Sequence, residues 1–314
     1  MNKKNPRVSF LIATYNRVDF LVYCIESILS QSYKNIEVIV ADDCSTDSTE
    51  RIIKEKYGNR VIYHKNDSNR GVAFTRNVAL TYASGDYIGL LDSDDILLTP
   101  LFLEIALNIL ETYNADVFCC DNYRIDKMNQ KFGNETFFHA TIDHRNIQLS
   151  SGIKGFDYIF FHGIHSCGML IKKSVIDKIG FLNINYKIAW DEELFLRIAS
   201  DSTFKIYYYN EPLAGYRIHD NNLSGNLSAL YTEKIACRLD ILRQNKEIKR
   251  RLGKRINKRL ASQYYCLADA YKREKKLFHS FFIVLKLSII YFFPLLNIIK
   301  NKIALIYQEK KKVL

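Results

Sequence analysis

Tyr87-Ile88-Gly89-Leu90-Leu91-Asp92-Ser93-Asp94-Asp95 is an apolar run of strand length that ends in three carboxylates within four residues. A buried strand ending this way places hard oxygen ligands at the carboxyl edge of a sheet. That arrangement suits a divalent cation carrying a phosphate group. The competing reading is a solvated turn, because Asp and Ser favour turns and helix starts. A calcium EF-hand loop is disfavoured: the sixth and twelfth positions counted from Asp92 are Leu97 and Leu103, where Gly and Glu are needed.

The preceding sequence supplies the context. Val8–Ala13 is mostly apolar; polar Thr14-Tyr15-Asn16-Arg17 follows, and then Leu21, Cys24, Ile25, Ile28 and Leu29 at helical spacing. The pattern repeats as a strand over Ile36–Ala41, the polar stretch Asp42–Asp47, and a helix from about Ser48 to Tyr57. Val61–His64 reads as a third strand and Val72–Ala83 as a third helix, carrying Arg76 and Asn77, before the fourth strand at Tyr87. Val- and Ile-rich strands alternating with helices predict an α/β domain with a mostly parallel sheet covered by helices on both faces.

The functional edge of such a sheet is at the carboxyl ends of its strands. That rule gathers Thr14, Tyr15, Asn16 and Arg17, then Asp42 and Asp43, then Asp92, Asp94 and Asp95, on one rim. Asp43 can accept from a pyrimidine N–H, Tyr15 can stack on a base, and Arg76 can meet a phosphate. Helix capping before Ser48 is the structural alternative for Asp42, Asp43 and Asp47. No Gly-x-Gly-x-x-Gly follows the first strand and no Gly-x-x-x-x-Gly-Lys occurs in the chain, which counts against a dinucleotide site and a P-loop.

At 314 residues, with 48% hydrophobic and 25% charged, the chain is globular rather than disordered, long enough for a large α/β domain plus an appendage. Its seven cysteines form no Cys-x-x-Cys pair and the start resembles no signal peptide, so reduced thiols in the cytoplasm are expected. The net charge of +11 is unevenly spread: residues 231–314 hold 21 Lys/Arg against 6 Asp/Glu, and the first 230 hold 24 against 28. A mildly acidic body with a strongly basic end suggests that the end meets a polyanion.

The text Pro6–Arg17, Ser27–Tyr33, Glu37–Asp47, Asn69–Asn77, Ala83–Ile88 and Leu91–Asp95 resembles the family 2 glycosyltransferases, whose fold is the GT-A type. The match is close over about the first hundred residues and extends more loosely to about Ser228. The resemblance implies a catalytic domain over 1–228, with a nucleotide-sugar half to about 122 and an acceptor half from 123. It also implies that Ala13, Thr14, Tyr15, Arg17, Asp42, Asp43, Arg76, Asp92 and Ser93 line the nucleotide-sugar site. Asp92-Ser93-Asp94 corresponds to the family's Asp-x-Asp motif, binding Mn²⁺ or Mg²⁺ on the diphosphate, with Asp94 in direct contact, Asp92 on metal or ribose, and Asp95 in support.

Further along, Pro100–Tyr113 has helical spacing, Asp116–Asp121 reads as a strand, and Lys127–His144 reads as a hairpin or a loop over the site. His165 opens a segment resembling the family's acceptor side. In Ala189-Trp190-Asp191-Glu192-Glu193 the acidic residues also suit a helix first turn, but the resemblance places the catalytic base at Asp191, with Glu192 in support. Trp190 stands where the family usually has an acidic residue, and reads either as an apolar wall or as a sugar-stacking platform. Tyr216-Arg217-Ile218-His219 resembles the family's closing segment; His219 is either a further metal ligand or structural. The implied activity is transfer of a sugar, with inversion, from a nucleoside-diphosphate sugar, expected to be a UDP-sugar, to a hydroxyl of a saccharide or lipid-linked saccharide. A nucleotidyltransferase and a non-catalytic nucleotide-sugar or membrane-binding scaffold are the rival readings.

From 229 the pattern is helical and basic, with Lys246, Lys249, Arg250, Arg251, Lys254, Arg255, Lys258 and Arg259 close together. A run of Phe, Ile and Leu from Phe278 to Ile299 follows, broken by Lys286 and Pro294, before further lysines. The apolar run argues against nucleic acid, and the internal Lys and Pro argue against a clean membrane span. Interfacial helices on an anionic membrane surface fit better, giving a peripheral protein on the cytosolic face. Packing on the catalytic body, or on a second copy in a homo-oligomer, is the alternative.

Overall fold

The computed structural model describes residues 5–136 and 152–287, and the chain divides into two compact units, Met1–Leu223 and Ser224–Leu314. The expected tail after 287 and the loop over 137–151 lie outside the described residues.

In the first unit, β1 (Val8–Thr14), α1 (Val18–Leu29), β2 (Ile36–Asp42), α2 (Thr49–Tyr57), β3 (Val61–Lys65), α3 (Val72–Thr81) and β4 (Tyr87–Leu90) follow the predicted alternation. Every residue of β1 is buried, as expected of a strand covered on both faces. β1 pairs in parallel with β2 from Val8↔Ile36 to Thr14↔Asp42, and with β4 from Val8↔Tyr87 to Leu11↔Leu90. The order is therefore β3-β2-β1-β4: the chain moves outward on one side of β1 and returns on the other. This reversal makes the carboxyl ends of β1 and β4 a topological switch point, where a parallel α/β sheet opens a crevice. Gly89 faces Phe10 across that pair; a Cβ there would lie 2.7 Å from the Phe10 ring, so only glycine lets β4 close on β1.

Past β4 the sheet is mixed. β5 (Ile96–Leu97), α4 (Phe102–Thr112), β6 (Val117–Ile125) and β7 (Lys131–Thr136) come first, then β8 (Gly152–Lys154), α5 (Phe156–His162), β9 (Met169–Lys172), α6 (Lys173–Ile179), α7 (Trp190–Ser200) and β10 (Ile206–Arg217). β9 pairs with β4 from Leu90↔Met169 to Tyr87↔Lys172 and is antiparallel to both β4 and β6. It starts at the rim and runs away from it, so the expected parallel order holds for β3-β2-β1-β4 and for β6 with β10, but not across β9. β6 and β7 form a hairpin, one of the two readings of Lys127–His144, its turn held by Asp126 Oδ1 accepting from the N–H groups of Met128 and Gln130, both at 2.8 Å. β10 runs parallel to β6 with a register shift around Pro212, which has no N–H to give to a ladder.

Glu37 is a buried carboxylate inside β2, close to the amino ends of the strands. It accepts from Ser9 Oγ and from the Ser84 N–H (2.7 Å), and pairs with Arg7 (3.0 Å), so its burial is compensated.

Among the described residues the second unit contains α8 (Leu227–Gln244), α9 (Lys246–Leu252), α10 (Arg255–Arg273) and a helix over residues 277–287. Ile235, Tyr264 and Leu267 form its small core, with Ile283 and Leu287 of the last helix packed against them.

Candidate active site

The loop after β1 is fixed before it meets any ligand. Asn16, at φ +49°, presents Oδ1 to the Thr46 N–H at 2.7 Å and the Asp47 N–H at 3.3 Å, while its own N–H donates to Ser45 Oγ. Asp47 accepts from the Thr49 N–H (3.0 Å) and the Val18 N–H (3.2 Å), and so serves the first turns of α1 and α2 together. The capping expected of Asp47 is thus real and joins two loops of the rim.

Asp42 and Asp43 are buried and differently employed. Asp42 Oδ1 accepts from the Ser45 N–H (2.8 Å) and Oδ2 from the Tyr63 hydroxyl (2.6 Å), which commits both oxygens to the fold. Asp43 accepts from Asn66 Nδ2 (3.0 Å) and from the N–H groups of Arg70 (2.8 Å) and Gly71 (2.7 Å), shaping the approach to α3. Ala13 and Thr14 are buried at the end of β1, the Thr14 carbonyl accepting from the Asp43 N–H at 2.8 Å. Thr14 Oγ1 is buried with no hydrogen-bond partner among the described residues, and Tyr15 stands 42% exposed on the rim.

In the Asp-x-Asp segment each carboxylate has its own surroundings. Asp94 Oδ2 receives Arg17 Nη1 at 2.6 Å and His219 Nε2 at 2.9 Å. Burial acts to raise the Asp94 carboxyl, and the His219 hydrogen bond and the Arg17 charge outweigh it, holding Asp94 below the usual carboxylate range. Asp95 is fully buried and accepts the Arg217 N–H at 2.9 Å; burial and the charges of Asp94 and Asp92 push it well above that range. Asp92 is paired with Arg76, and Ser93 is buried between the two acidic residues. Among the described residues no group of three His, Cys, Asp or Glu side chains gathers at metal-ligand spacing. The expected trio of Asp92, Asp94 and His219 is therefore assembled only as the Asp94–His219 pair, because Arg76 holds Asp92.

Arg76 connects this segment to α7. Its side chain is wholly buried, and its guanidinium lies 4.4 Å from the centroid of the Trp190 ring, where a desolvated cation–π contact contributes about 2 kcal/mol. Nε and Nη1 of Arg76 have no hydrogen-bond partner among the described residues. Of the two readings of Trp190, the fold supports the wall: it is 5% exposed and one side of its ring carries Arg76. Asp191 follows in the first turn of α7, where the helix dipole favours a carboxylate, with Oδ1 accepting the Glu192 N–H at 2.7 Å. Glu192 is buried in the same turn. His165 packs edge-on against Tyr216 at 4.8 Å and accepts the Cys167 N–H at Nδ1.

Sequence reasoning passed over Arg217. It is fully buried and gives Nε to the Asp94 carbonyl, Nη1 to the Asp126 carbonyl and Nη2 to Asn129 Oδ1, each at 2.6 Å, while lying over Phe20 at 4.9 Å. It thereby ties the Asp-x-Asp turn, the β6–β7 turn, β10 and α1 together. Its place in the closing segment Tyr216-Arg217-Ile218-His219 was the signal in the sequence.

The chain matches the family described as Glycosyl transferase family 2 over residues 9–180. It is 33% identical, over 70% of its length and 80% of the relative's, to an Escherichia coli protein named UDP-Glc:alpha-D-GlcNAc-diphosphoundecaprenol beta-1,3-glucosyltransferase WfaP. Among solved structures, S. aureus TarS 1-349 in complex with UDP resembles it with a TM-score of 0.54 at 18% identity, over 84% of this chain and 80% of that one. Mannosyltransferase PcManGT from Pyrobaculum calidifontis, in complex with GDP-Man and Mn²⁺, does so with a TM-score of 0.60 at 14% identity, over 86% and 74%. At those identities the likeness to the two structures is one of fold.

Proposed function

The chain belongs to glycosyl transferase family 2, and from that premise we propose that it is an inverting, metal-dependent hexosyltransferase. It moves a sugar from a UDP-sugar to a hydroxyl of a saccharide or lipid-linked saccharide in the synthesis of a surface glycan. The observation that carries this reading is the convergence at the switch point. Asp94, with Arg17 and His219 on one oxygen, lies at the end of β4. Arg76 spans from the adjacent Asp92 to Trp190, the residue before Asp191. The donor and acceptor classes are supported by the name of the E. coli relative, which specifies UDP-Glc and a diphosphoundecaprenol-linked GlcNAc, and by the UDP bound to TarS.

Asp191 takes the proton from the acceptor hydroxyl as that oxygen attacks the anomeric carbon from the face opposite the leaving diphosphate. Tyr15, exposed on the rim, stacks on the base. Asp43, with three hydrogen bonds among roughly four acceptor positions, retains capacity for a pyrimidine N–H. Asp94 and His219, with Asp92, would hold Mn²⁺ or Mg²⁺. Two carboxylates and an imidazole suit Mn²⁺ in donor type; to take the ion, Asp94 Oδ2 would exchange the Arg17 guanidinium for it and Asp92 would leave Arg76. When bound, the ion neutralises charge growing on the departing diphosphate.

Thermal-shift screening of nucleotide sugars with Mn²⁺ identifies the donor, since a ligand that binds only the folded state raises its stability. Turnover on a lipid-diphosphate-linked saccharide should then release UDP. Release of pyrophosphate from a nucleoside triphosphate would instead make the protein a nucleotidyltransferase. Donor binding without transfer to any acceptor, unaltered by Asp191→Asn, would make it a scaffold.

A further inference from the structure

Residues 224–287 carry 16 Lys/Arg against 5 Asp/Glu, so cations outnumber carboxylates there about three to one. Three of the cations, Lys246, Lys249 and Arg250, lie together on α9. Gly253, at φ +52°, ends α9 with its N–H on the Lys249 carbonyl (3.1 Å), and the Ile256 N–H returns to the Gly253 carbonyl (3.3 Å). This turn sets the start of α10 beside α9 and leaves an open groove of about 440 Å³ lined by Lys246, Lys249, Arg250, Gly253, Ile256 and Asn257. No carboxylate lines it, and Glu247 is the one acidic residue on α9. Lys246, Lys249 and Arg250 form no ion pair among the described residues, whereas Arg243, Arg273 and Lys276 pair with Asp240, Asp269 and Glu274.

A second observation comes from the helix over 277–287. Ser280 Oγ donates to the Ala268 carbonyl (2.9 Å), Lys286 Nζ donates to the Tyr264 hydroxyl (3.1 Å), and Ile283 and Leu287 join the small core, which fixes its inner side. Phe278, Phe281, Phe282 and Leu285, at the i, i+3, i+4, i+7 spacing of one helical face, are 72%, 61%, 50% and 43% exposed. Three phenylalanines in water on one stripe are costly unless something apolar covers them. No helix among the described residues is long and apolar enough to cross a membrane.

We propose that the second unit docks on an anionic lipid surface, the groove at the α9–α10 turn taking a phosphate headgroup and the Phe278–Phe281–Phe282–Leu285 stripe entering the interface. A polyanion in solution would satisfy the cations and leave the stripe wet; an anionic bilayer satisfies both. The docking is separate from the choice of sugar donor, so it stands or falls apart from the catalytic reading.

Flotation of the full chain with phosphatidylcholine vesicles, with and without phosphatidylglycerol, tests it. The protein should float with the anionic vesicles alone, less so as salt rises. The combined variant Lys246→Gln, Lys249→Gln, Arg250→Gln should bind them roughly a hundred-fold more weakly, at about ten-fold or less for each cation. Phe278→Ser with Phe281→Ser should weaken binding by roughly ten-fold or more. Both variants change exposed side chains, and an unchanged circular dichroism spectrum shows that they fold. Flotation of the cation variant equal to that of the unaltered chain overturns the proposal. So does a stabilising shift with inorganic phosphate, lost in that variant, when vesicles fail to float the chain, because the groove then serves a soluble phosphate. Retardation of single-stranded RNA without flotation overturns it in favour of nucleic acid.

Discussion

Arg217 and Arg238 are both fully buried, one in each unit, and their surroundings differ. Arg217 gives its guanidinium to two carbonyls and a side-chain amide and has Asp95 and Asp94 close by. Arg238 gives Nη1 to the Lys234 carbonyl of its own helix, and burial, with Arg259 adding its like charge, pushes it well below the usual arginine range. In the first unit buried cations serve as ties between loops, each answering a carboxylate or carbonyl of the rim. In the second, cations accumulate beyond what the unit itself can answer. The difference separates a buried cation answered by the carboxylates and carbonyls of a site from one set beside a second cation.

Four substitutions test that contrast. Asp191→Asn should have the largest effect, lowering transfer by roughly 10²–10⁴-fold while donor binding measured by calorimetry is unchanged; full turnover would remove Asp191 from the chemistry. Arg217→Met should cost about 3 kcal/mol in urea unfolding, because the Asp94 and Asp126 carbonyls and Asn129 Oδ1 lose their buried donor. Asn16→Ala should cost about 1–2 kcal/mol, from a left-handed backbone without its Asn and from the lost bonds to Thr46 and Asp47. Arg238→Met should change stability by less than about 1 kcal/mol, since the lost charge relieves its neighbour Arg259. If Arg238→Met proves as costly as Arg217→Met, the contrast between the units fails.

The first four strands and three helices were legible because each strand is a short Val/Ile-rich run and each helix an apolar stripe, and local pattern sets both. β9 was not: Met169-Leu170-Ile171-Lys172 carries no sign of direction, and its antiparallel seat between β4 and β6 is fixed by long-range pairing. Nor was β10: Asn210-Glu211-Pro212 interrupts it, yet the strand carries on through a shift in register. At the site, composition could name Asp42 and Asp43 together but not separate them. Which of two adjacent carboxylates meets the Tyr63 hydroxyl, and which the N–H groups of Arg70 and Gly71, depends on strand twist and loop path. The link from Asp92 through Arg76 to Trp190 joins residues far apart in the chain that no spacing could relate.

That link has a spectroscopic consequence. Trp190 is the chain's single tryptophan, so the whole protein carries one indole fluorophore, seated against a guanidinium that also grips Asp92. A ligand that draws Arg76 toward a diphosphate alters the field on that indole. Its emission therefore reports occupancy of the first unit with no label attached and no tryptophan background from the second.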